Sequence, residues 1–115
     1  MGVRISNVTI DTNDLATTTA FWQALTGYQL DASDEGSSTL TDPAKSGPSL
    51  YLQLVPEPRP GKNRVHLDLF AGDLDGEVGR ARGLGATEVQ RFTEGSGGWV
   101  VLADPEGNEF CIVAG

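Results

Sequence analysis

A chain of 115 residues with 38% hydrophobic content, 15 glycines and 6 prolines has room for one small core and many turns, which suits a strand-rich α+β domain better than a helical bundle. Sixteen acidic against 8 basic residues leave a net charge of −8, which argues against nucleic acid or an anionic membrane as partner and is compatible with cationic ligands. No apolar run approaches the ~20 residues of a membrane span, the start lacks the basic-then-apolar layout of a secretory leader, and the single Cys111 has no disulfide partner, so a cytoplasmic location is expected.

Residues 3 to 11 alternate as a strand, with Val8 and Ile10 on one face and Asn7, Thr9 and Asp11 on the other. Asp14 is placed to cap a helix whose Leu15, Thr18, Trp22 and Leu25 fall on one side, and Gly27 ends it. Strands are expected near 28 to 32 and 37 to 42, with a loop within 33 to 48. The run SLYLQLV then alternates strictly, directing Leu50, Leu52 and Leu54 to the core and leaving Tyr51, Gln53 and Val55 on the opposite face. PEPRPGKN, from Pro56 to Asn63, reads as a connection.

The second half repeats the first. Val65, Leu67 and Leu69 alternate with His66, Asp68 and Phe70, and Asp73 leads a helix carrying Leu74, Val78, Ala81 and Leu84, which Gly85 closes. Gly76, Gly79 and Gly83 each weaken that helix by up to about 1 kcal/mol relative to alanine, so it must rely on packing. Strands near 87 to 92, 98 to 103 and 108 to 113 finish the chain, and the Gly95–Gly98 cluster reads as a hairpin turn. On the 98 to 103 strand, Val100 and Leu102 take the core side while Trp99 and Val101 face away. Laid over each other without a gap, Asn7–Leu30 and His66–Val89 share Asp14 with Asp73, Leu15 with Leu74 and Leu25 with Leu84. Each copy is strand, Asp-led helix, break and strand, and a duplicated unit places its ligand in the concavity between paired sheets.

These units, with the run DLxxxxxFWxxLTG (Asp14 to Gly27), the strand HLDL with Asp73 and Leu74 behind it, and DPEGNEF (Asp104 to Phe110), closely resemble the vicinal oxygen chelate superfamily of glyoxalase and bleomycin-resistance proteins, in its small single-domain subgroup. The resemblance implies one domain over residues 1–115. It comprises a first βαβββ module over 1–57 and a second over 63–115, with curved mixed sheets and helices on their convex sides. It also implies a homodimer.

Metal-using members place one ligand on the first and last strand of each module, facing the concavity. Those positions fall at Asn7, Gln53, His66 and Cys111, of which His66 alone is the preferred ligand type; Glu109, two residues before Cys111, offers a substitute. Asn7 and Gln53 supply only neutral amides, and no second histidine exists to build a two-histidine, one-carboxylate iron site. The expectation is therefore that no cofactor is required, with His66 and Glu109 as weak candidate ligands for a divalent metal. The ligand-binding candidates are Asn7, Thr9, Tyr51, Gln53, His66, Asp68, Trp99, Glu109 and Cys111, with Asp68 placed to orient His66. Two function classes follow. One is a metal-independent small-molecule binder that sequesters a drug or metabolite. The other is a glyoxalase-like lyase or isomerase, rather than a dioxygenase, with His66 and Glu109 in its active site.

Overall fold

The computed structural model describes residues 2–95 and 97–115. The chain divides into two compact units that meet at Pro58 and Arg59. The first contains β1 (Asn7–Thr12), α1 (Leu15–Thr26), β2 (Gln29–Ser33), β3 (Ser37–Thr41) and β4 (Ser49–Leu54); the second contains β5 (Asp68–Ala71), α2 (Leu74–Gly83), β6 (Thr87–Glu94), β7 (Gly97–Ala103) and β8 (Glu109–Ala114). Each unit is a four-stranded mixed sheet with the same topology, β1-β4-β3-β2 and β5-β8-β7-β6. In each, the first strand pairs in parallel with the last, and the remaining pairs are antiparallel. The α+β class and the twofold βαβββ pattern expected from the sequence are therefore observed.

Both helices start as the sequence requires. The Asp14 side chain accepts from the Thr17 backbone N–H at 3.2 Å, and Asp73 accepts from Gly76 N–H at 3.0 Å, each occupying a donor that the first helical turn leaves unpaired. Helix α1 ends at Gly27 in the left-handed region (φ 75°). It packs on β3 and β4 with Phe21, Trp22 and Leu25 buried against Leu40, Leu50 and Leu52. Buried hydroxyls pair with one another, Thr12 with Thr18 at 2.8 Å and Thr19 with Ser38 at 3.2 Å, so this core carries its polar atoms without the penalty of orphaned groups. Helix α2 brings only Val78 and Ala81 into its core, where they meet Val100, Leu102, Phe110 and Ile112.

Three details differ from the sequence expectation. Leu54 is 43% exposed, not core. β3 begins opposite Gln53, so Leu54, at the end of β4, has a ladder partner in Thr12 of β1 but none on β3. The strand expected from Val65 begins only at Asp68. Asn63 holds the approach instead, its amide donating to the carbonyls of Val65 and Glu109 at 2.8 and 2.9 Å and accepting from Glu109 N–H at 2.7 Å. One side chain thus replaces a rung of the ladder, and Val65 is left 79% exposed. Finally, α2 stops at Gly83, and Leu84 is its C-cap rather than a packed helical residue.

The turn at the expected Gly95–Gly98 hairpin includes Ser96, outside the described residues; β6 ends at Glu94 and β7 begins at Gly97. The DPEGN turn between β7 and β8 is built on Asp104, which is 3% exposed and accepts from Glu106 and Asn108 N–H at 3.0 and 2.9 Å. Gly107 supplies the positive φ (88°) that closes it. Among the described residues no helix is long and apolar enough to cross a membrane.

Candidate functional site

Strand alternation sends one set of side chains toward the helix and the other to the opposite face of each sheet. In the second unit that opposite face is organised in rows. Ladder partners run Phe70, Val113, Trp99 and Phe92, one residue from each of the four strands. Phe92 and Trp99 stack with ring centroids 4.8 Å apart and planes 17° from parallel, an offset-stacked contact worth about 1 kcal/mol beyond its buried area. Phe70, at the other end, is 83% exposed. The next row runs Asp68, Cys111, Val101 and Gln90.

A break in β6 makes this row continuous. Register shifts between Glu88 and Gln90, so that Glu88 opposes Leu102 while Gln90 opposes Val101. The β-bulge at Val89 lets Glu88 and Arg91 stay on the helix side, where Arg91 meets Asp75 of α2 at 2.6 Å and Glu88 at 3.2 Å, and turns Phe92 toward Trp99. Strict alternation from Thr87 does not produce that arrangement, and Phe92, like Phe70 and Val113 of the same row, is a site residue that the sequence reading missed. Its signal was the aromatic spacing from Trp99 across a two-strand hairpin, legible only once the register is known.

At the polar end of the face, ligand atoms of His66, Asp68 and Cys111 all lie within 4.8 Å of one another. His66 and Asp68 are exposed, as the expected register requires, and Cys111 is buried. Burial pushes the Cys111 thiol up, reinforced by the charge of Asp68, by a hydrogen bond to its carboxylate, and by the charge of Glu109; Lys62 opposes this weakly. The thiol is thus held in its protonated form, the opposite of an activated nucleophile. Glu109, expected as the partner of His66, is not in this cluster. Its carboxylate lies 3.6 Å from Lys62 Nζ, and its backbone is clamped by Asn63.

The remaining candidates lie on the first sheet. Asn7 donates to Thr9 Oγ1 at 3.1 Å, Thr9 is the ladder partner of Tyr51, and Gln53 is that of Asp11. The sequence repeat aligns Asn7 with His66 and hence Thr9 with Asp68. Asp68 opposes Cys111 as Thr9 opposes Tyr51, so Tyr51, not Gln53, occupies the ladder position equivalent to Cys111. The two sheets differ in chemistry: Asn7, Thr9, Asp11, Tyr51 and Gln53 on the first, a row of three aromatics with thiol, imidazole and carboxylate beside it on the second.

A family model described as a glyoxalase-like domain matches residues 7–113. A glyoxalase/bleomycin resistance protein/dioxygenase family enzyme from Burkholderia phytofirmans PsJN is similar with a TM-score of 0.75 at 24% identity, over 95% of this chain and 96% of its own. A variant of the fosfomycin resistance protein FosX from Listeria monocytogenes, solved with Mn(II) and 1S,2S-dihydroxypropylphosphonic acid, gives a TM-score of 0.81 at 19% identity, over 100% and 92%. The oxidase ChaP-H2 gives 0.74 at 17%, over 100% and 95%. At these identities the likeness shows a shared fold alone. No curated protein matches the chain in sequence.

Proposed function

The chain belongs to the glyoxalase-like domain family, and from that membership we propose that it is a small-molecule-binding protein whose ligand lies on the helix-free face of the second sheet. One observation carries the reading: the row Phe70, Val113, Trp99 and Phe92 crosses all four strands beside the row that holds Asp68 and Cys111. A flat apolar body suits the aromatic row, and a positive group beside it suits Asp68 and the net charge of −8. The ligand class is a planar aromatic cation, and the role is sequestration of a drug or metabolite. Both sheets end in edge strands, β1 and β2 in one and β5 and β6 in the other, and covering such edges favours a homodimer.

The test is a thermal-shift comparison of planar aromatic cations with neutral and anionic aromatics of equal size. A ligand at ~100 times its Kd adds about 2.7 kcal/mol to stability. Cations are expected to raise Tm and quench tryptophan fluorescence, and Trp99→Ala and Phe92→Ala to remove the shift while keeping the fold. Equal shifts for all three charge classes, or shifts that survive both substitutions, defeat this reading.

The second reading, a lyase or isomerase, is favoured by the His66, Asp68 and Cys111 cluster, with His66 as proton carrier and Asp68 as the group that orients it. A manganese centre like that of the FosX neighbour does not fit these donors. Manganese selects carboxylate, carbonyl and water oxygens, and the buried member of the trio is a thiol.

A further inference from the structure

Lys62, in the connection between the two units, stands beside a carboxylate of the ligand-facing side of the second sheet. We infer that Lys62 is a specificity-determining residue of that face: by neutralising Glu109 it sets how strongly the site favours cationic over neutral aromatic ligands. The inference rests on the small-molecule reading and adds the residue that tunes it.

Glu109, Cys111 and Val113 alternate along β8 and so share the helix-free face. Val113 belongs to the aromatic row and Cys111 is the ladder partner of Asp68, which puts Glu109 one row beyond Asp68, on the side away from the aromatics. Its side chain is only 20% exposed, against 65% for Lys62. A carboxylate so placed needs a partner to offset its lost hydration, and Lys62 Nζ at 3.6 Å is that partner. The chain delivers it there. Asn63, the next residue, donates to the Glu109 carbonyl at 2.9 Å and accepts from the Glu109 N–H at 2.7 Å. Residues 62 and 109 are thereby held together, which lowers the ordering cost that makes most exposed ion pairs worth little.

The pair matters because its charges reach the site. Three side-chain charges act on the Cys111 thiol at the centre of this end: Asp68 and Glu109 raise its proton affinity and Lys62 opposes them. Together they leave one net negative charge. Without Lys62 the same end carries two, and without Glu109 it carries none. The first sheet has no such device. Tyr51 holds the ladder position equivalent to Cys111, so Glu109 corresponds to the neutral Ser49, opposite Asn7.

The experiment measures binding of N-methylquinolinium, and of quinoline as its neutral counterpart of nearly equal size, by quenching of tryptophan fluorescence. It uses the full chain, Lys62→Met, Glu109→Gln and the double variant. None of these substitutions touches the Asn63 hydrogen bonds, which use the Glu109 backbone. A unit charge some ångströms from the ligand on a partly screened surface changes affinity by about 3- to 10-fold. Lys62→Met is expected to tighten N-methylquinolinium by that factor and Glu109→Gln to weaken it by a similar one. The double variant, with one net negative charge again, is expected to return close to the wild type. Quinoline is expected to bind all of these proteins alike, whereas a merely structural role for Lys62 moves both probes together. A ligand-free arm compares the rates at which methanethiosulfonates bearing a trimethylammonium or a sulfonate group label Cys111, the one cysteine of the chain. The cation-to-anion rate ratio is expected to rise in Lys62→Met, fall in Glu109→Gln and return in the double variant. If the wild type binds neither aromatic, or both equally, the ligand reading fails and the labelling ratio alone decides the role of Lys62. The inference is overturned if that ratio is unchanged in Lys62→Met. It is equally overturned if a wild type that prefers the cation gains nothing from Lys62→Met, or if quinoline shifts as much as N-methylquinolinium.

Discussion

Single carboxylates hold several turns of this chain, and each does so in its ionised form. Asp14 is kept below its ordinary value of 3.8 by the Thr17 hydroxyl and backbone N–H. Asp34 is lowered by the Gly36 N–H and the Ser37 hydroxyl, and Asp42 by the N–H of Ala44, the Ser46 hydroxyl and the N–H groups of Ser46 and Gly47. A carboxyl lowered in the folded state contributes stability that is present above its unfolded value and lost as pH falls through the folded value. These three contacts are therefore intact from neutrality down to about pH 4 and are lost below 3.8. Amide exchange at Ala44 and Gly47 is expected to quicken only in that acid range, and an earlier onset argues against the assignment. Asp104 is different in kind because it is buried. Asp104→Ala strands the Glu106 and Asn108 N–H groups, and a loss of ~2 kcal/mol is expected by urea unfolding.

At the scale of elements, the two modules share a topology but not an anchor. Helix α1 inserts Trp22, 1% exposed and edge-on to Phe21 at 5.3 Å, and Trp22→Ala is expected to cost about 3–5 kcal/mol. Helix α2 carries three glycines and inserts only Val78 and Ala81. Its amides are expected to exchange faster than those of α1 under native conditions, a measurement that equal protection factors would contradict. The β6–β7 hairpin has a stricter requirement. Gly98 sits at φ 126°, and a Cβ added there would lie 2.2 Å from the Phe92 carbonyl oxygen. Gly98→Ala is expected to destabilise by ~2 kcal/mol or more and to separate Phe92 from Trp99, seen as a shift in tryptophan emission. A neutral result argues against the close hairpin packing of Gly98 on Phe92 and Thr93.

For the whole molecule, assembly is the open quantity. A homodimer predicts a light-scattering mass of twice the 12.1 kDa chain at tens of micromolar, and a single-chain mass refutes it. The duplicated pattern of alternation, Asp caps and glycine stops was sufficient to determine the α+β class, the βαβββ order and the faces of Asn7, Thr9, His66 and Asp68. These depend on local periodicity and on caps within a few residues, which any reader of the chain can count. Other features are decided only when strands pair. The bulge at Val89 that turns Phe92 toward Trp99, the Asn63 clamp that shortens β5, and the meeting of His66 and Asp68 with Cys111 all join residues far apart in sequence. A one-residue change of register inverts a strand's faces, and register is set by long-range packing and hydrogen bonding rather than by the identity of the residues themselves. For that reason the sequence could name the histidine of the candidate site, while only the tertiary structure could choose Cys111 and Asp68 over Glu109 as its companions.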